Sequence, residues 1–207
     1  MYFRLVNHYP AMGKANELRA LLEDRVKTEN ASGSSRSALL TEMMGPEPIL
    51  IQAIQHESFA AWQAHTARIG SDQSFQATAA KMQPTMSRPQ TMELYNVIAR
   101  YMTDKAANFL WSVSFYPALG KAADLRRLLE ERVKTATDRG AATASLLNRL
   151  YGPEGAYFML ANTFSDLAGL EAYRTVSQAS PIPGLQAVTD SPTTQRLARV
   201  LIPFPAA

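Results

Sequence analysis

The chain is written twice. Residues 9–58 and 116–165 align without a gap at an offset of 107, and 22 of those 50 positions are identical. Identity of that density marks a duplication, and a period of domain size excludes a solenoid of short repeats. The matching stretches open with YPAMGKANELRALLEDRVKT and YPALGKAADLRRLLEERVKT, and both later carry a Gly-Pro-Glu turn. The sequence therefore divides into a first repeat over 1–101, a linker over 102–108 and a second repeat over 109–207.

Within each repeat the hydrophobic periodicity alternates between strand and helix. Tyr2 to Tyr9 is rich in aromatic and β-branched residues and is followed by Pro10, which reads as a strand. From Lys14 to Thr28, Ala15, Leu18, Leu22 and Val26 fall on one helical face. Arg36 to Met44 and Ile49 to His56 form a predicted hairpin about Gly45-Pro46-Glu47-Pro48. Ser58 is a candidate N-cap for a second helix that buries Phe59, Trp62 and Ile69, and helical pattern continues to about Met82. Thr91 to Tyr101 closes the repeat as a strand. The second repeat repeats the order, with strands Phe109–Tyr116, Ser145–Tyr151, Ala156–Thr163 and Thr193–Ile202 and helices Lys121–Thr137 and Ser165–Val176. Past Ser58 the offset slips by one, and Pro89 pairs with Pro192, so the second copy is shorter. The missing length falls at Pro181-Ile182-Pro183-Gly184, where a loop replaces the tail of the second helix.

Each repeat is thus βαββαβ, and the fold class is α+β: two ferredoxin-like repeats with antiparallel sheets packed as a fused pseudo-dimeric α/β barrel. Leu50, Ile54 and Tyr157 are expected on the barrel interior, alternating with helix-side Ile49, Ile51 and Phe158.

This pattern resembles the dimeric α/β-barrel superfamily, which includes antibiotic-biosynthesis-type monooxygenases, NIPSNAP-like proteins, haem-degrading monooxygenases and stress-responsive barrel proteins. The resemblance rests on the entry to the first helix, the MGPEP hairpin and the ESFAAWQAH start of the second helix, and spans almost the whole chain. It implies a site between sheet and helices of each half. In monooxygenase-type members that site uses a strand-one Asn, a Trp at the start of the second helix and nearby His, Tyr or Arg. Some members oxidise aromatic polyketides without metal or flavin, because the deprotonated substrate supplies the electrons. The protein then provides a base, oxyanion donors and a dry pocket. By that resemblance Asn7 and Trp62 occupy the family positions, and His65 follows one helical turn after Trp62. In the haem-degrading branch an axial His lies further along the same helix, where this chain has Asp72.

The two copies differ in their polar residues. All three histidines, His8, His56 and His65, belong to the first copy, opposite Phe115, Thr163 and Tyr173 (or Ala172). Asn7 faces Ser114 in the alignment, and Trp62 faces Leu170. The candidate catalytic residues are accordingly His65 and His56, with Asn7, His8, Gln52 and Trp62 contacting substrate, and the first-copy cavity is expected to be the larger and more polar. Packing alone accounts equally for buried Trp62 and for Met43, Met44 and Met92.

Two functional readings follow: a cofactor-independent, monooxygenase-like enzyme acting on an aromatic or polyketide-like molecule, or a non-catalytic ligand-binding or oligomeric barrel protein of the stress-responsive or NIPSNAP-like kind. Either takes a small-molecule partner, and a homo-oligomer would use outer helices or edges. No cofactor is expected. No metal is expected either, since Glu57 points away from His56 on a strand. The absence of cysteine excludes disulfides and thiolate chemistry and fits a cytoplasmic setting. A formal charge of +3 is spread along the chain without basic-aromatic runs, which argues against nucleic acid. No apolar run approaches a membrane span, and no phosphate-loop, dinucleotide or nucleophile-elbow motif is present.

Overall fold

The computed structural model describes residues 1–33, 35–45, 47–152, 157–190 and 193–205. In the first repeat β1 (Tyr2–His8) leads to α1 (Ala15–Ala31), then β2 (Arg36–Glu42), β3 (Leu50–His56), α2 (Phe59–Ser71), α3 (Gln73–Met82) and β4 (Thr91–Met102). The second repeat follows with β5 (Phe109–Phe115), α4 (Ala122–Lys134), β6 (Thr143–Tyr151), β7 (Phe158–Phe164), α5 (Leu167–Ala179), α6 (Leu185–Val188) and β8 (Thr194–Ile202). Pro46, Pro153, Glu154, Ala156 and Pro192, all named in the sequence reading, lie outside the described residues.

Both repeats have the expected βαββαβ order, and the ferredoxin-like fold class holds. The chain forms two compact units, residues 1–94 with 200–207 and residues 95–199, so β4 and β8 each contribute to both. The first unit orders its strands β4-β1-β3-β2-β8 and the second β8-β5-β7-β6-β4. The pairs β1–β3, β2–β3, β5–β7, β5–β8 and β6–β7 are antiparallel.

Each first helix locks onto its sheet through a stripe of leucines and valine. Leu18, Leu22 and Val26 of α1 pack with Leu39 and Leu50, and Leu125, Leu129 and Val133 of α4 pack with Leu146, Phe158 and Leu160. These spacings of three and four residues put all three side chains of each helix on one face. The conserved pattern between copies is therefore a packing pattern.

The register corrects two expectations. Tyr2 pairs with His56, whereas Phe109 pairs with Phe164. The offset in the third strand of each repeat is therefore already 108, so the slip lies in the hairpin turn rather than beyond Ser58. His56 corresponds to Phe164 and Gln52 to Leu160. The face assignment also reverses in the first copy: Leu50 packs against the helix stripe and Gln52 bonds to a helix residue, so Leu50, Gln52, Ile54 and His56 face the helices. Strict alternation defines two faces but does not say which one the helices cover, and one residue of slip exchanges them.

The long second helix of the first repeat divides at Asp72. The Asp72 side chain accepts from the Ser74 and Phe75 amides and starts α3. In the second repeat α5 ends at Ala179 and only the short α6 follows, beginning after Gly184 in the left-handed region with φ of 75°. The N-caps match: Ser58 accepts from the Ala61 amide and Asp166 from the Gly169 amide. Phe59 is half exposed, and the inward face of α2 runs through Trp62, His65 and Ile69, of which His65 is fully buried and the other two are half-buried. Met43 and Met44 are exposed rather than packed. No helix among the described residues is long and apolar enough to cross a membrane.

Candidate functional site

The layer between sheet and helices is built from the same positions in both units but holds opposite chemistry. In the first unit it is polar and filled. Glu29 of α1 is completely buried, and its carboxylate accepts from Ser37 Oγ at 2.6 Å, Gln52 Nε2 at 2.7 Å and Arg25 Nε at 3.4 Å. Arg4 of β1 is buried beside it and donates through Nη2 to His65 Nε2 at 3.4 Å. The His56 and His65 rings lie 5.1 Å apart. From α3, Phe75 closes the layer, with the Arg25 and Arg68 guanidinium groups 5.5 and 5.4 Å from its ring centre.

Of the residues singled out in the sequence, His8, Gln52, His56 and His65 are on this helix-side layer. Asn7 faces the other side of β1, where Nδ2 donates to Thr91 Oγ1 at 3.2 Å and Glu93 Oε1 at 3.3 Å. Trp62 is half-buried and packs edge-on against Phe59 at 4.7 Å. The structure thus brings the two candidate bases together and separates them from Asn7. Burial drives His56 and His65 down to about 4, helped in each case by the Arg4 charge, and His8 to about 3, helped by Arg25. Burial likewise lowers Arg4 to about 10. These imidazoles are neutral at neutral pH and weak as bases, because an effective general base has a pKa near the working pH.

Sequence reasoning missed Glu29, Arg4, Arg25 and Ser37. The signal was present in the alignment, where Glu29 faces Ala136, Arg4 faces Trp111 and Ser37 faces Ala144. A charge opposite an apolar residue at a duplicated core position marks a buried polar group.

In the second unit the same layer is apolar and open. A cavity of about 700 Å³ lies between β5 and β7 on one side and α4, α5 and α6 on the other. Trp111, Val113 and Leu160 form its sheet wall, and Pro181 and Ile182 close the end where the first unit has α3. Its polar groups converge from three elements. Asn162 Nδ2 donates to the buried Tyr173 hydroxyl at 3.4 Å, while Asn162 Oδ1 and Ser177 Oγ have no partner among the described residues. Arg132 reaches the Ser180 and Ser177 carbonyls at 3.2 and 3.4 Å, and burial lowers its pKa. Trp111 packs on Tyr173 at 5.8 Å, as Arg4 meets His65 in the first unit. The first-copy layer, where the polar cavity is expected, is occupied by the buried side chains of Glu29, Gln52, His56 and His65. Shortening the second copy removed the helix that fills this space in the first.

Among the described residues no group of three or more His, Asp or Glu is arranged to hold a metal ion. The position of an axial haem ligand is taken by Asp72, whose carboxylate is occupied in capping α3, and no histidine lines the second-unit cavity. The residues present do not fit haem.

No family model and no curated protein sequence matches the chain. Solved structures do. A candidate monooxygenase from Fusobacterium nucleatum superposes with a TM-score of 0.79 at 10% identity, over 97% of this chain and 92% of that one. An anthrone oxidase-like protein gives 0.63 at 15% identity, over 97% and 91%. A ferredoxin-fold protein related to antibiotic biosynthesis monooxygenases, from Listeria monocytogenes, gives 0.53 at 7% identity, over 99% and 95%. At these identities the likeness establishes a shared fold: the chain has the ferredoxin-like architecture of antibiotic-biosynthesis-monooxygenase-like proteins. That fold hosts more than one chemistry, so function must come from the site.

Proposed function

We propose that this protein binds a small, largely apolar molecule in the layer between sheet and helices of its second repeat, and does so without catalysing its oxidation. The observation that carries this reading is the 700 Å³ cavity, apolar-walled, with Tyr173, Asn162, Ser177 and Arg132 as its few polar groups. That combination of size, apolar lining and sparse convergent polarity is typical of small-molecule sites. Among the described residues its lining contains no histidine, carboxylate or lysine. A cofactor-independent oxygenase must deprotonate its substrate, and this cavity offers no ordinary base for that step. The histidines that could serve are in the first unit, enclosed by their own neighbours.

A variant that fills the cavity tests the reading. Ser177→Trp is expected to abolish fluorescence enhancement of the neutral apolar probe N-phenylnaphthylamine. Ile69→Trp, at the corresponding place on α2, should leave it unchanged. Equal enhancement in the wild type and Ser177→Trp would reject the cavity as a ligand site.

A second reading retains chemistry in the first unit, with His65 or His56 as the base and Gln52 and His8 nearby. It is favoured by the unpartnered ring nitrogens of His56 and His8 and by Nδ1 of His65. Oxygen uptake with an anthrone substrate, present in the wild type and absent in His65→Ala, would support it. No uptake in the wild type would leave binding alone.

A further inference from the structure

Arg25 and Arg132 are the same residue of the duplicated unit, and their surroundings differ in one charge. In the first unit Glu29, one turn beyond Arg25, places a carboxylate oxygen 3.4 Å from its Nε. Phe75 of α3 covers the pair. In the second unit the Glu29 position is Ala136, the α3 segment is missing, and Arg132 lines an open cavity. Its hydrogen bonds go to the carbonyls of Ser177 and Ser180 and to the Tyr173 hydroxyl, and among the described residues no carboxylate approaches it within ion-pair distance. Arg139 is close enough to add a second positive charge to its surroundings. Arg132 is thus a half-buried cation without an internal counter-charge, facing apolar walls. A guanidinium in such a place is best satisfied by an oxyanion, which can accept two parallel N–H bonds from its planar fork.

We propose that the ligand of the second-unit cavity is an organic acid with an apolar, ring-sized body, whose carboxylate pairs with Arg132 and replaces the counter-charge that Glu29 provides in the first unit. Rings then pack along Trp111, Val113 and Leu160. Asn162 Nδ2 is already donated to Tyr173, so its free Oδ1 and the Ser177 hydroxyl serve other polar groups of the ligand. The inference rests on the cavity being a ligand site.

The test compares two probes of nearly equal shape, naphthoate and its neutral amide naphthamide, by calorimetry on the full chain at neutral pH. A half-buried charge-assisted contact is worth roughly tenfold or more in affinity, so naphthoate should bind about tenfold tighter than naphthamide. Arg132→Gln should bring the two probes within about twofold, with naphthamide affinity retained as evidence that the cavity is intact. Arg132→Lys keeps the charge and should retain part of the preference. Equal affinity of the two probes for the wild type would overturn the acid assignment while leaving the cavity as a ligand site. A preference unchanged in Arg132→Gln would overturn the role of Arg132. Binding of neither probe would overturn this inference and the binding reading with it.

Discussion

Replacing Glu29 with Ala is expected to lower the stability of the first unit by about 3–5 kcal/mol, the usual consequence of removing one partner from a buried charged network. Glu29 is fully buried and organises residues from three elements: Arg25 of its own helix, Ser37 of β2 and Gln52 of β3. Its removal leaves a serine hydroxyl, a carboxamide and a guanidinium without an acceptor in a layer that water does not fill. The full desolvation penalty of each then appears as lost stability, rather than the smaller net value of a hydrogen bond. Glu29→Gln keeps one acceptor oxygen but loses the charge and the second acceptor, and should cost about 1–3 kcal/mol. Urea unfolding at neutral pH measures both. Trp62 and Trp111 are the two tryptophans, one in each repeat, so a Trp111→Phe background makes the fluorescence report the first unit alone. If Glu29→Ala unfolds at the wild-type midpoint, the carboxylate is not the organising group.

The second repeat shows why this network is a choice of sequence and not a demand of the fold. There the layer carries Trp111, Ala136, Ala144, Leu160, Phe164 and Tyr173 in place of Arg4, Glu29, Ser37, Gln52, His56 and His65. Ring contacts of Tyr173 with Phe164 at 5.2 Å and with Trp111 at 5.8 Å take the place of the contacts His65 makes with His56 and Arg4. One backbone thus tolerates two fillings, one polar and closed, the other apolar and open.

The scaffold was legible because its determinants are periodic. Leu18, Leu22 and Val26 recur as Leu125, Leu129 and Val133, and a stripe at helical spacing can be read without coordinates. The cap Ser58 marks the start of α2 as expected, while α5 is capped by Asp166, one residue past the expected start at Ser165. The site was legible only in outline. The difference in histidine content between the copies is plain in the sequence, but polarity does not mark an open site, and here the polar copy is the filled one. A cavity is an absence of side chains, so its signature in a sequence is missing length. That gap was visible at Pro181 to Gly184, yet only the packing of α3 against α1 and α2 in the first unit gives it meaning. The face of β3 was misread because the one-residue slip sits in the hairpin turn, where Gly and Pro carry no periodicity to fix the register.

Acid should loosen the first unit before the second. His56, His65 and His8 have pKa values driven down by burial to about 4, 4 and 3, against 6.5 when exposed. The unfolded chain therefore binds protons at a pH where the folded chain does not, and stability falls as protons are taken up. The contribution of the neutral imidazoles is complete above pH 6.5 and is lost progressively as pH falls from there toward 4. For a single histidine the loss by about pH 4 is roughly 2–3 kcal/mol. The His65 charge also helps to hold His56 down. Arg4 and His8 from β1, Arg25 and Glu29 from α1, and Arg68 from α2 surround the rings, and the cations among them oppose a second positive charge. Compared with an ordinary domain stability of about 5–15 kcal/mol, this shift is large. The duplication supplies the control. His56→Phe with His65→Tyr installs the residues that the second copy carries at these positions, Phe164 and Tyr173, whose rings already pack together there. In the Trp111→Phe background the urea midpoint of the parent should drop steeply as pH falls through this window, and the double variant should fall less steeply, keeping only the part that His8 contributes. Parallel pH profiles for the parent and the double variant would show that the histidine pair is not the acid-sensitive element.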